Sequence, residues 1–370
     1  MGYPVQGRLL VPTVAYGMVQ LSSPSAEDQL RFLSNIQRVF AEGDFTATYK
    51  FALLIALADL AVEIGADDGR ELVLSTRQIG ERFIQMYWRQ ALPYGKGLPD
   101  SSPGVLVQNN GAQAAVISAI GAFRATQDVG TYQTAQSLPE FQTLLTTVAR
   151  VVSAQPLNYL QNFGGTTNDF LYERAGPGRV RLKPGVAYSL RRFHPLVQQL
   201  ARSHWVGHIK GNPRNHTILG EADDLEKFLF ATSRQSLVVM ADGLRKLDGP
   251  NCFYCAGLLT AGDVDHFVPF SQYPRDLAHN FVLAHPSCNR SKSATLAARP
   301  HLERWLERLA RRSDAIAEIG QLAGLVVDAP VSRQIAAWGY ASAKASGGSA
   351  WVSPARYERV DASYSECFAT

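Results

Sequence analysis

Apolar positions recur at helical spacing along the N-terminal half of the chain. Residues 25 to 42 open on Ser25 with Asp28 three positions on, a capping pair, and then set Leu30, Phe32, Leu33, Ile36, Val39 and Phe40 on one stripe. The pattern predicts an amphipathic helix. Tyr49 to Ile64 is apolar nearly all round, as a helix in the middle of a bundle would be. Residues 75 to 91 start on a second capping pair, Ser75 and Gln78, and residues 111 to 126 and 137 to 153 repeat the helical period after Gly/Pro-rich connections. The aromatic and aliphatic stripes of this half read as core, and nothing in them carries recognisable chemistry.

The period changes near residue 263. "DVDHFVPFS" alternates and stops at a proline, as a strand of a short hairpin does, whereas "SCNRSKSATLAARP" reads as a helix opening near Ser287. Helices are expected again over about 296–312 and 314–344, followed by "ASGGSA", a linker composition, and a tail without a readable function. The expected fold class is therefore mainly α with a small α+β core, in several domains. These are a helical N-terminal domain over 1–174, a basic, helical connecting segment over 175–247, a compact strand-and-helix core over 248–312, and a helical region with its tail over 313–370.

Composition changes this picture little. A chain of 370 residues with 46% hydrophobic and 18% charged positions can bury full cores. The longest uncharged apolar run near the N-terminus, Phe51 to Ala58, is far short of the roughly 20 residues that span a bilayer. The opening "MGYPVQGRLLVPTVAYG" lacks the features of an export leader, so cytoplasm is the expected compartment and no membrane is an expected partner.

Charge distribution changes it more. The net charge is only +4, yet residues 175 to 220 contain no Asp or Glu and carry Arg179, Arg181, Lys183, Arg191, Arg192, Arg202, Lys210 and Arg214. Such a segment predicts a face for a polyanion, with Arg191, Arg192 and Lys210 as candidate nucleic-acid contacts; a solvated basic surface without a partner is the plain alternative. His204 and His208 stand four apart within it, but no nearby acid or cysteine completes a metal site.

The four cysteines make a poor disulfide framework, since three fall within 252–288 and Cys367 stands alone. Cys252 and Cys255 by themselves fit a redox dithiol or half of a metal site. "HPSC" supplies His285 and Cys288 at the same spacing, and two such pairs can chelate one ion from two sides. Cys252, Cys255, His285 and Cys288 are the expected ligands of a structural Zn²⁺, with a sizeable insert held between the halves.

That insert contains Asp263-Val264-Asp265-His266, then Asn280-Phe281-Val282-Leu283, then Asn289-Arg290-Ser291-Lys292. With the cysteine pairs, this run resembles the HNH nuclease family, especially the HNH domain of RNA-guided CRISPR effector nucleases and the zinc-bearing HNH enzymes of restriction systems. The likeness covers about residues 248 to 300. It implies a ββα-metal fold and phosphodiester hydrolysis, with Asn280 steadying the loop that aims the histidine. The family often has histidine at its last motif position, where this chain has Asn289.

Chemistry agrees with the resemblance. Hydrolysis needs a base for water and positive charge for the phosphate. His266, with an ordinary pKa of about 6.5, is the candidate base. Asp265 and Asn289 are candidate oxygen ligands of a catalytic Mg²⁺ or Mn²⁺, and Arg290 and Lys292 are candidate phosphate contacts. The expected function is a metal-dependent endonuclease acting on DNA, in bacterial defence by family habit. A nuclease subunit of a larger nucleoprotein complex, docked through the helical domain, is the alternative. A zinc-stabilised binding module whose Asp265 and His266 satisfy each other is the non-catalytic reading.

Overall fold

The computed structural model describes residues 23–95, 103–220 and 224–369. The N-terminal stretch read for a leader lies outside them. The described chain is mainly helical with small antiparallel sheets, in which hydrophobic side chains gather into two cores.

The first core is built around helix α2 (Tyr49–Ile64), which is buried from Tyr49 to Glu63. Around it stand α1 (Ala26–Glu42), α3 (Thr76–Trp88), α4 (Ala115–Gln127), α5 (Phe141–Ala154), α6 (Val186–Arg192) and α7 (His194–Gly211). Both predicted caps form: Ser25 Oγ accepts the Asp28 N–H, and Ser75 with Gln78 makes a full capping box at the start of α3. A three-stranded antiparallel sheet, β1 (Leu72–Ser75), β2 (Tyr172–Arg174) and β3 (Arg179–Leu182), lies in the order β1-β3-β2, with Leu74 opposite Val180. Alternation along β3 buries Val180 and Leu182 and turns Arg179 out.

The second core begins with α8 (Arg234–Asp248) and continues through the hairpin β4 (Asp263–His266) and β5 (Phe281–Ala284), α9 (Pro286–Lys292), α10 (Arg299–Leu322), α11 (Ala329–Ala345) and the hairpin β6 (Ser349–Ser353) and β7 (Arg356–Arg359). Helix α10 is kinked at Arg312, where φ is −130° and ψ 16°. It merges the end of one expected helix with the start of the next.

Several expectations need correction. The segment 175–247 is not a connector, because α6 and α7 pack on α2 inside the first core and β3 belongs to its sheet. Residues 313–370 are not an appendage: Trp351 is buried, its backbone exchanges hydrogen bonds with Leu296 and Ala298, and its indole Nε1–H donates to Ser291 Oγ at 3.0 Å. The four expected segments thus fold into two cores that meet near residues 230–234. The helix after Ser287 is also shorter than its pattern predicts, ending at Lys292, where Ser293 takes a φ of 50°. No helix among the described residues is long and apolar enough to cross a membrane.

Helix α2 joins the two cores through buried polar contacts. Glu63 accepts from Tyr273 Oη at 2.5 Å and pairs with Arg82 and Arg275, while Asp59 accepts from Gln198 Nε2 at 2.7 Å and pairs with His194 Nε2 at 2.9 Å. Unpaired, these carboxylates would cost several kcal/mol each at such depth. The pairing therefore fixes the loop 272–276 against the helical core.

Candidate functional site

The Cys-x-x-Cys turn closes on itself. Ala256 N–H donates to the Cys252 carbonyl at 2.9 Å, Cys252 N–H to the Gly257 carbonyl at 2.8 Å, and Ala256 takes the left-handed φ of 58° that the turn needs. Across from it, Pro286 opens α9 directly after His285 and brings Cys288 back in the first turn. One ligand atom from each of Cys252, Cys255, His285 and Cys288 lies within 4.8 Å of every other. Two contacts aim this set: the His285 N–H donates to Cys252 Sγ at 3.3 Å, and His285 Nε2 donates to the Leu258 carbonyl at 3.1 Å. Because a carbonyl only accepts, the second bond places the ring proton on Nε2 and leaves Nδ1, 3.2 Å from Cys255 Sγ, as the free lone pair.

Electrostatics ask for a cation there. Burial pushes the Cys252 thiol up, but backbone N–H groups of Cys255, His285 and Tyr254 outweigh it and bring it down to about 7. Cys288 is pushed up to about 12, by burial first and then by negative charge on Cys252 and Cys255. Three sulfurs packed this closely repel one another as thiolates, which a divalent ion would relieve. Donor type, number and spacing fit a metal such as zinc.

The expected catalytic residues lie on the hairpin beside this cluster. Strand β4 runs antiparallel to β5 with Asp265 opposite Val282 and His266 opposite Phe281. Asn280, fully buried, holds the loop after β4 from both sides, accepting the Val268 N–H at 2.8 Å and donating to the Val268 carbonyl at 2.9 Å. His266 is partly exposed, lies against Phe281 and Phe270, and has Nε2 2.6 Å from Asp276 Oδ1. Burial would raise the Asp276 carboxyl, but hydrogen bonds from His266 and Thr232 outweigh it and hold it below its usual value. An ionised carboxylate only accepts, so His266 Nε2 carries a proton, and in the neutral ring Nδ1 is the free lone pair. No spacing rule marked Asp276 in the sequence. It stands ten residues after His266 in an irregular loop.

One expectation fails on this geometry. Lys292 is not a phosphate contact: fully buried, it donates to the His266 carbonyl at 2.9 Å and pairs with Asp265 Oδ2 at 3.1 Å. Burial lowers its pKa while Asp265 works the other way. Asp265 Oδ2 also accepts from Tyr254 Oη at 2.6 Å, and Asn289 Nδ2 donates to Asp263 Oδ2 at 3.4 Å, contacts that engage one oxygen of Asp265 and the amide nitrogen, not the oxygen, of Asn289. Arg290, on the same helix as Asn289, is exposed.

The acid-free segment is likewise dispersed. Arg191 is buried and gives its guanidinium to Asp67 at 2.6 and 3.0 Å and to the carbonyls of Ala61, Val62 and Gly65 at the end of α2; it is not a nucleic-acid contact. Arg181 pairs with Glu71 and Glu173, and Arg202 turns inward to the Pro274 carbonyl at 2.6 Å. Arg192 and Lys210 are exposed, on α6 and α7. His204 and His208 pack on the rings of Phe40 and Phe51.

A family model described as a domain of unknown function (DUF8808) matches residues 29–228, more than half of the chain. That stretch coincides with the first core. The Cys-His quartet, His266 and Asp276 lie outside it. No curated protein and no solved structure matches the chain.

Proposed function

The chain belongs to the DUF8808 family, a domain of unknown function, through residues 29–228, and for the region beyond that match we propose a zinc-clamped HNH-type endonuclease that hydrolyses phosphodiester bonds of DNA. One observation carries the reading: His266, at the partly exposed end of β4, has Nε2 fixed by Asp276 and Nδ1 bare, while Asn280 pins the loop beside it. A histidine held in one tautomer by a buried carboxylate is poised as a general base.

In this reading His266 Nδ1 takes a proton from water as the oxygen attacks phosphorus. The bond from phosphorus to the leaving oxygen breaks, and that oxygen takes a proton from solvent. Cys252, Cys255, His285 and Cys288 would hold zinc, which would clamp α9 to the Cys-x-x-Cys turn and keep the hairpin and helix in register. Arg290 is the phosphate contact on that helix. Asp265 and Asn289 are the residues that would hold a Mg²⁺ or Mn²⁺ ion, which would supply positive charge to the phosphate.

The test is cleavage of supercoiled plasmid by the full chain, supplied with Mg²⁺ or Mn²⁺, against His266→Ala. Cleavage should fall to background while DNA affinity stays within about twofold, because a base acts in the transition state and adds little to ground-state binding. Equal cleavage by the two proteins, or a loss of affinity as large as the loss of rate, overturns the reading.

A further inference from the structure

Between the two cores lies a cavity of about 370 Å³. Five arginines, but only two carboxylates, reach its wall. Both carboxylates are committed: Asp59 to His194 and Gln198, and Asp276 to His266 and the Thr232 N–H. Arg82 and Arg275 are paired with Glu63 behind the wall.

None of the other three arginines makes a salt bridge among the described residues, although Asp224 acts on the charge of Arg89, and Asp59, Asp276 and Glu226 on that of Arg202. Arg89 donates to the Lys227 and Ala231 carbonyls and lies over the Phe228 ring; Arg124 donates to the Trp88 carbonyl at 3.3 Å and lies over that ring. Arg202 reaches Gln198 and the Pro274 carbonyl and lies over Phe230. Burial lowers the pKa of each of the three, so each cation stands in a poorly solvated place. Neutral carbonyls and ring faces hold Arg124 without cancelling its charge, and nearby carboxylates offset Arg89 and Arg202 without forming a salt bridge. Two polar groups on the same wall also lack partners, since both amide atoms of Gln133 and Arg82 Nε are buried with no hydrogen bond. Such groups usually cost free energy unless something satisfies them.

We propose that this cavity is a binding site for a small phosphorylated molecule, which Arg89, Arg124 and Arg202 neutralise and Gln133 hydrogen-bonds. Three guanidinium groups suit a multiply charged phosphate, whose oxygens take their forked donors; a single carboxylate would leave two of the cations unmatched. The remaining wall includes Ile55, Met86, Leu325 and Val326, which suit an apolar or ring portion of the ligand.

Calorimetric titration of the full chain with ATP, pyrophosphate and adenosine tests this. ATP and pyrophosphate should bind and adenosine should not. Arg124→Gln and Arg89→Gln should each weaken pyrophosphate at least tenfold, while Arg356→Gln, exposed on β7 and away from the cavity wall, leaves it unchanged. Where an arginine variant does not fold, Gln133→Met decides: it removes an unpartnered amide, should keep or raise the melting temperature, and should still weaken pyrophosphate. Absence of pyrophosphate and ATP binding, or binding undiminished in every folded cavity variant, overturns the proposal. Binding is read without a cleavage assay, so failure here leaves the reading of His266 untouched.

Discussion

Asp276 holds His266 with one carboxylate oxygen, Oδ1 to Nε2 at 2.6 Å, and is itself held through the other, which accepts the Thr232 N–H at 3.0 Å. The loop carrying Asp276 is anchored on the first core. His194 Nδ1 lies 3.3 Å from the Gln272 carbonyl, Arg202 donates to the Pro274 carbonyl at 2.6 Å, and Arg275 pairs with Glu63 and donates to Gln85 at 2.6 Å. The helical core thereby sets the orientation of a histidine that belongs to the second core.

Asp276→Asn should lower plasmid cleavage by about 10²- to 10⁴-fold, since an amide can donate to Nε2, move the ring proton to Nδ1 and remove the base. Asp276 acts through His266, so the double variant with His266→Ala should be no slower than His266→Ala alone. Single-turnover rates of the four proteins check this. Independent, multiplying losses would show that Asp276 acts elsewhere.

Arg191→Ala should destabilise the protein without changing how DNA binding depends on salt. The guanidinium caps the last carbonyls of α2 and pairs with half-exposed Asp67, so its loss strands buried acceptors at a cost of roughly 2 kcal/mol. That should appear as a melting temperature lower by several degrees. The slope of log affinity against log salt should stay put, because each phosphate neutralised adds about 0.9 to it and Arg191 reaches none. A flatter slope with an unchanged melt would contradict the buried placement.

Legibility followed sequence distance. Ser25 with Asp28, Ser75 with Gln78, and the paired Cys252–Cys255 and His285–Cys288 were readable because the two residues of each local motif stand three positions apart, a spacing that follows from helix or chelate geometry. Arg191 was misread because its neutralising partner, Asp67, is 124 residues away, so an acid-free run in sequence is not acid-free in space. Lys292 was misread for the same reason in miniature: its burial depends on β4 and on the tail strand packed behind α9. The hairpin after "ASGGSA" was missed because glycines suited to a linker also suit the turn where Gly347 takes a φ of 68°. Asp276 left no sequence signal, being placed by contacts that only the two joined cores create.

His285 gives the sharpest test of the Cys-His cluster, because histidine stands where a cysteine could. His285→Cys should keep one tightly bound zinc per chain, as thiolate and imidazole both serve tetrahedral zinc. His285→Ala should lose it. The clamp between the Cys-x-x-Cys turn and α9 would go with the metal, so the Ala variant should also melt earlier. Stripping zinc from the unmodified protein with a chelator should reproduce the earlier melt, and restoring zinc should reverse it in the unmodified and Cys proteins only. Zinc content by elemental analysis, paired with thermal melts, distinguishes the outcomes. Full zinc occupancy and an unchanged melt in His285→Ala would place the fourth ligand elsewhere, and Nδ1 of His285, left bare by the Leu258 carbonyl, would need another explanation.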